Sequence, residues 1–437
     1  LRRETGVAPT SLTKNRWTEF VPMRKVIIRD KRKIEPFNEP ARDLRVLNKP
    51  LWLHQKDVLE PYCDSEIEVD FFEQIPSGDY QETLVYRDNL FFDEAFIQTF
   101  ISKASSLGKA CRVAFSLDDR VITTHALPLQ NGIRREGDVY VANMWYYPRG
   151  LEEKVRPLVI DCGAYEFGSY RVPTHMSTEK GDLVFQIPLR AFLSIENWVH
   201  IFVANCLFGV LAEGARMERS LNRPGVLLRI FWRSLLERKQ FLSCSRMVKI
   251  GRNCQIDPTA IIQGPTTIGD NVYIGAGVTI SNCIIGNNVS ILQGNQLLIS
   301  VVGDRCYLPF RSSLFFTTLM EDTMVAQNAC LQFCVVGRDS FIGAGTTFTD
   351  FNLIPKPLRT MHRGQLEDVG ATVLGSCVGH HCRIGADLTI YPARMIESDV
   401  VLVRSEQRSV ISHNVSYEES DHLHWPNADL HPRLYPR

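Results

Sequence analysis

Asp88 follows the apolar run Leu84-Val85-Tyr86 and precedes a segment with helical spacing, Asp93 to Ala104. A strand-end carboxylate there can cap the turn that follows it. His200 lies in Asn197-Trp198-Val199-His200-Ile201, and no further histidine occurs before His362. His362 could act as a general base. It sits in a charged stretch with Arg359 and Arg363, a few residues after Asn352, and these three are the candidate ligand contacts. His380-His381-Cys382 invites a zinc reading. Adjacent residues alternate faces on a strand and do not readily share one ion, so no metal site is assigned, and an exposed or interface role is expected for the pair.

The element that must position the later residues is a repeat. Ile250, Ile256, Ile262, Ile268, Ile274 and Ile280 recur every six residues. A six-residue period would wander around an α-helix, but it suits a coil of three flat faces, each hexad giving one short strand and a corner with its aliphatic residue turned inward. Gly or Asp after several of these isoleucines supplies the corners. The register slips by one residue near Ile285, Val302 and Val336, and the beats continue through Leu308, Leu314, Ile342, Val378, Ile384, Ile390 and Ile396. A left-handed parallel β-helix is expected over 247–404. Leu353 to Gly370 interrupts the beat and should project as a loop, on what repeat proteins often use as a binding face. Open solenoid ends need caps. The preceding domain serves one end, and the tail over 405–437, with Trp425, Pro426, Pro432 and Pro436, either covers the other or reaches a neighbour.

Upstream, the texture is mixed. Lys25-Val26-Ile27-Ile28 and Leu84-Val85-Tyr86 read as strands, and Phe96, Ile97, Phe100 and Ile101 form a helix face behind Asp93. An arm over 1–22, an α/β domain over 23–222 and a linker helix over 223–246 complete the division. Pro224 to Phe241 opens on Pro-Gly and carries Arg229, Arg233, Arg238 and Lys239. Packing as a linker explains such a helix; lying on a membrane surface is the alternative.

The order of motifs resembles the two-domain sugar-1-phosphate nucleotidyltransferases with a hexapeptide-repeat acyltransferase tail. Asn48-Lys49-Pro50-Leu51 with His54, Asp88-Asn89-Leu90-Phe91, and Asn197-Trp198 with Ala204-Asn205 match the first half of that family. Gly343-Ala344-Gly345-Thr346, Asn352, Asp368-Val369-Gly370, Ile384-Gly385 and Ile390-Tyr391-Pro392 match the second. The resemblance implies a Rossmann-like nucleotidyltransferase domain before the β-helix and a homotrimer built through the β-helix.

It also implies chemistry that this chain lacks. The family cradles triphosphate with a glycine-rich turn after the first strand, whereas Ile28 to Glu35 here contains no glycine. The family's phosphate-facing lysine falls at Ala41, with Arg42 and Arg45 nearby. Its two metal carboxylates fall at Asp88 and at His200, and His is a poor Mg²⁺ ligand. Its acyl-transfer histidine falls at Phe310. These departures point to a non-catalytic scaffold or assembly component, with any ligand retained in one cleft. The alternative is an active acyltransferase using His362 or His380, or a nucleotidyltransferase with a relocated site. Acetyl-CoA or Mg²⁺ enters only under that alternative.

At 437 residues with 49 basic and 49 acidic side chains, the chain has no global field that would gather nucleic acid. Protein partners would engage its terminal arms, Leu1 to Pro22 and Val410 to Arg437. Its 12 cysteines are scattered without C-x-x-C pairs. With no uninterrupted apolar run of about 18 residues, this favours a reducing cytoplasmic or organelle-matrix setting and no transmembrane segment. A chain that opens on Leu1 is compatible with a processed N-terminus.

Overall fold

A computed structural model describes residues 23–76, 80–172, 181–353 and 356–437; the arm expected over 1–22 lies outside them. The first domain is built on a mixed seven-stranded sheet. Its strands are β1 (Met23–Ile28), β2 (Cys63–Val69), β3 (Thr83–Arg87), β4 (Cys111–Ser116), β5 (Arg134–Glu136), β6 (Val139–Tyr147) and β7 (Arg156–Val159). They run in the order β7-β4-β6-β3-β1-β2, with β5 paired to β6. β1 is parallel to both β2 and β3, while β6 is antiparallel to its neighbours. β1 is buried along its whole length, so its run of Val26, Ile27 and Ile28 needs no alternation.

Helix α1 (Leu51–Leu59) and helix α2 (Glu94–Leu107) flank the sheet. Asp93 caps α2 by accepting the Phe96 amide, and Gly108 ends it in the left-handed conformation. Helix α3 (Trp198–Leu221) is long and apolar enough to cross a membrane, but 89% of its apolar window is buried. Its first half packs between the sheet domain and the β-helix, where Phe202 meets Phe333 at 5.9 Å between ring centroids. A hydrophobic helix enclosed on all sides is a core helix.

From Val248 the chain winds into three parallel eight-stranded sheets, the walls of a left-handed β-helix. Successive beats stack directly: Ile250 on Ile268, then Ile285, Val302, Leu319 and Val336. Ile268, Ile274 and Ile280 are buried in the prism, each contributing about 1.5–3 kcal/mol on transfer from water. One corner is marked by left-handed residues coil after coil, from Asn253, Asn271 and Asn288 to His381 and Asp399. Asn tolerates that conformation, and its side chains form a ladder, Asn253 to Asn271 at 3.2 Å and Asn271 to Asn288 at 3.1 Å. Ile250 itself is half exposed at the open end, which Ile230 of the linker helix α4 (Pro224–Glu237) partly closes.

One part behaves differently from expectation. The interruption after Leu353 is a β-hairpin, Arg359–His362 paired with Gln365–Asp368, and it lies on the first domain instead of projecting. Val410–Ile411 forms the last strand of the third wall. The residues after it take the first of the two courses expected for the tail and fold back instead of extending as an arm: Tyr435 N–H donates to Asp399 Oδ2 at 2.7 Å, and Asn38 Nδ2 donates to the Tyr435 carbonyl at 2.9 Å.

The first domain is docked along one wall of the prism. Phe185 and Phe202 pack on Phe316 and Phe333, whose own rings stack at 4.8 Å. Arg45 pairs with Glu321 at 2.9 Å, Arg338 with Glu39 at 2.8 Å, and Asn48 Nδ2 donates to the Val302 carbonyl at 2.8 Å. Asn48, part of the N-K-P-L motif, thus serves the seam between domains.

Candidate functional site

β1 and β3 end side by side at Ile28 and Arg87, and both residues line a cleft of about 570 Å³. The carboxyl edge of parallel strands is where α/β sheets generally take ligands. The cleft wall carries Arg32, Arg87, Arg112, Arg134 and Arg363 against Asp70, Glu73 and Glu136, a net positive lining, and Trp145 gives it an aromatic face. The Arg112 guanidinium lies 5.0 Å from the Trp145 ring centroid.

Beneath this cleft, the charged turn after β1 is organised by buried carboxylates. Asp88 Oδ1 accepts the Asp30 amide at 2.8 Å. Asp88 Oδ2 lies 3.3 Å from Arg42 Nη1 and 3.4 Å from Arg29 Nε. Burial pushes the Asp88 carboxyl up to about 6, against the pull of the Asp30 amide, Arg42 and Arg29. Glu196 receives Arg32 Nη1 at 2.7 Å, Arg363 Nη2 at 3.3 Å and the Gly132 amide at 2.7 Å. Burial opposes its charge, but Arg32 prevails and holds its carboxyl below the usual range. Gly132 is required by this approach: a Cβ there would lie 2.5 Å from Ser194 Oγ and 2.9 Å from Glu196 Oε1.

His200 is buried and fully engaged. Its Nδ1 accepts the amides of Glu196 and Asn197 at 3.0 and 3.1 Å, and its Nε2 lies 2.9 Å from the Pro128 carbonyl. Two amides on Nδ1 require the neutral ring with its proton on Nε2. Burial accordingly lowers its pKa to about 4. Mg²⁺, implied by the family motifs, does not fit these residues. The Asp88 carboxylate is shared by two guanidiniums, and His200 has no lone pair left.

The hairpin from the β-helix closes the site. Trp198 Nε1 donates to Thr360 Oγ1 at 3.0 Å and Asn197 Nδ2 to the Met361 carbonyl at 2.9 Å. His362 then lines a small cavity of about 120 Å³ with Asp30, Asn89 and Glu196, and its buried Nε2 has no protein partner. This places His362 against the first domain of its own chain. Of the sequence candidates, His362 and Arg363 come together in the small cavity, and Arg363 also lines the larger cleft. Arg359 and Asn352 stay apart: Arg359 is exposed on the hairpin, and Asn352 bonds within its loop to the Lys356 carbonyl at 3.0 Å.

His380 and His381 are corner residues rather than strand neighbours, and both are buried. Corner geometry turns the two rings to different partners, and of the exposed or interface roles expected for the pair it excludes exposure. His380 Nδ1 accepts the Arg338 amide at 2.9 Å, and His381 Nδ1 meets Asp399 Oδ1 at 2.9 Å. Sequence reasoning missed Arg32, Gly132, Trp145 and Glu196. Glu196 was within reach, because it immediately precedes the Asn197-Trp198 motif.

A family model described as bacterial transferase hexapeptide (six repeats) matches residues 247–282. The bifunctional protein GlmU of Heliobacterium modesticaldum is 28% identical over 148 residues, 32% of each chain. The same-named protein of Pelobacter propionicus is 30% identical over 212 residues, 44% of each. The chain resembles the two-domain sugar-1-phosphate nucleotidyltransferase and hexapeptide acyltransferase proteins. It matches less than half the length of these relatives. Among solved structures, the UDP-N-acetylglucosamine acyltransferase of Campylobacter jejuni matches 31% of this chain and 67% of its own, at 18% identity and a TM-score of 0.17.

Proposed function

We propose that this protein is a catalytically degenerate member of the two-domain arrangement, a trimeric scaffold that keeps an anionic ligand in the cleft of its first domain. The observation that carries this reading is the pairing of Asp88 with Arg29 and Arg42. Nucleotidyl transfer needs carboxylates that hold Mg²⁺ against developing phosphate charge. Here the first such carboxylate is enclosed and already shared by cations, and the second position is a histidine spent on backbone groups.

The arginine-lined cleft supports retention of a phosphorylated sugar or nucleotide, since planar guanidiniums match phosphate oxygens. Trimer formation through the β-helix rests on the resemblance. The first domain covers one prism wall, and the other two remain for neighbours. Loss of acyl transfer is supported by Phe310 at the position of the family's base and by His362 facing its own first domain.

The deciding experiment incubates the full chain with UTP, dTTP, GTP or CTP, common sugar phosphates and Mg²⁺, alongside calorimetric titration of the same compounds. Binding without product is expected. Product that disappears in Asp88→Ala would establish a nucleotidyltransferase instead. Thiol release from acetyl-CoA with amine acceptors, lost in His362→Ala, would establish an acyltransferase.

A further inference from the structure

The linker helix α4 is apolar on two sides. Ile230 and Ser234 are buried against the first coil of the prism. On the other side Leu227, Leu228, Phe231, Trp232, Leu235 and Leu236 are between 46% and 75% exposed. Their spacing, pairs repeating every four residues, gathers them on one continuous arc of the helix. Solvent-facing leucines scattered singly need no explanation, but six large apolar side chains on one helix face do.

The charge around this arc is one-sided. Between Arg223 and Arg252 stand Arg223, Arg229, Arg233, Arg238, Lys239, Arg246, Lys249 and Arg252, against Glu237 alone. The whole chain carries 49 basic and 49 acidic residues, so this segment's surplus is a local cationic rim beside an apolar stripe. Glu237 pairs with Arg233 at 2.6 Å and lies 3.9 Å from Lys239, and Arg252 pairs with Asp270 at 2.8 Å, so the cationic surplus rests on Arg223, Arg229, Arg238, Arg246 and Lys249.

We infer that α4 docks the protein onto an anionic lipid bilayer, lying in the interface with Phe231 and Trp232 among the acyl chains and its arginines at the headgroups. An apolar face with an aromatic anchor and a basic border fits a headgroup boundary. Charge argues against a second copy on the same face, because a two-fold contact would set like patches of strong positive charge against each other.

The test is co-sedimentation of the full chain with phosphatidylcholine vesicles, with and without phosphatidylglycerol, while Trp fluorescence is recorded. Binding and a blue shift are expected only with the anionic lipid, weakening about tenfold or more in high salt. Phe231→Ser with Leu235→Ser should abolish binding, and Arg229→Glu with Lys239→Glu should weaken it strongly. All four positions are solvent-facing, so melting temperature should not change. Equal binding to both vesicle types, or none, overturns the inference. So does a fall in native mass in Phe231→Ser with Leu235→Ser, which would assign the face to self-association.

Discussion

Arg42 Nη1 stands 3.3 Å from Asp88 Oδ2, so a guanidinium occupies the approach to the carboxylate that the motif casts as a metal ligand. Arg42 is the residue after Ala41, where the family places its phosphate-facing lysine. Arg42 serves here as an internal partner of the carboxylate.

Removing that partner should be felt in stability. Arg42→Met leaves a buried carboxylate with one guanidinium fewer and should cost about 1–3 kcal/mol in urea unfolding. Combined with Asp88→Asn, the cost should fall short of the sum by about 1 kcal/mol. Strict additivity would show that the two groups do not depend on each other.

Prism positions should divide by depth. Ile268→Asp puts an unpaired charge into the β-helix core and should destabilise by several kcal/mol or prevent folding. Ile250→Asp, on the same beat but half exposed at the open end, should cost less than about 1 kcal/mol. Similar melting temperatures for the two variants would mean that the hexad register is misassigned.

Hairpin docking depends on one buried bond. Thr360→Val removes the acceptor for Trp198 Nε1 and should cost about 1–2 kcal/mol. Faster amide exchange should then be confined to the hairpin over 359–368. Unchanged exchange there would detach the hairpin's position from this contact.

Acid should loosen the C-terminal tail. His431 stacks on His381 at 4.1 Å, with His422, Arg383 and Asp399 around it. Burial first, then the neighbouring cations and histidines, lower its pKa from 6.5 to about 4. The unfolded tail therefore binds the proton more readily. Its contribution is complete above pH 6.5 and is lost as pH falls through about 4. With partial exposure the effect should be about 1 kcal/mol. Protease cleavage within 416–437 should accelerate over that window, and His431→Phe, which keeps the stacking, should flatten the dependence. An identical pH profile in the variant would exclude His431 as the cause.

The hexads of isoleucine, the one-residue slips at Ile285, Val302 and Val336, and the cap of the helix behind Asp93 were legible because each depends on residues close in the chain. Periodicity and capping are local, and the β-helix repeats the same local rule coil after coil. Loss of the glycine cradle was equally legible, since absent glycines need no geometry. What the tertiary structure alone decided is which distant groups meet. Arg32 finds Glu196 across 164 residues of chain, and Trp198 finds Thr360 across 162. The tail folds onto Glu397 and Asp399 instead of reaching outward. Such pairings follow from how one domain lies along a prism wall, a matter of complementary surfaces such as Phe202 against Phe333, which no spacing along the sequence encodes.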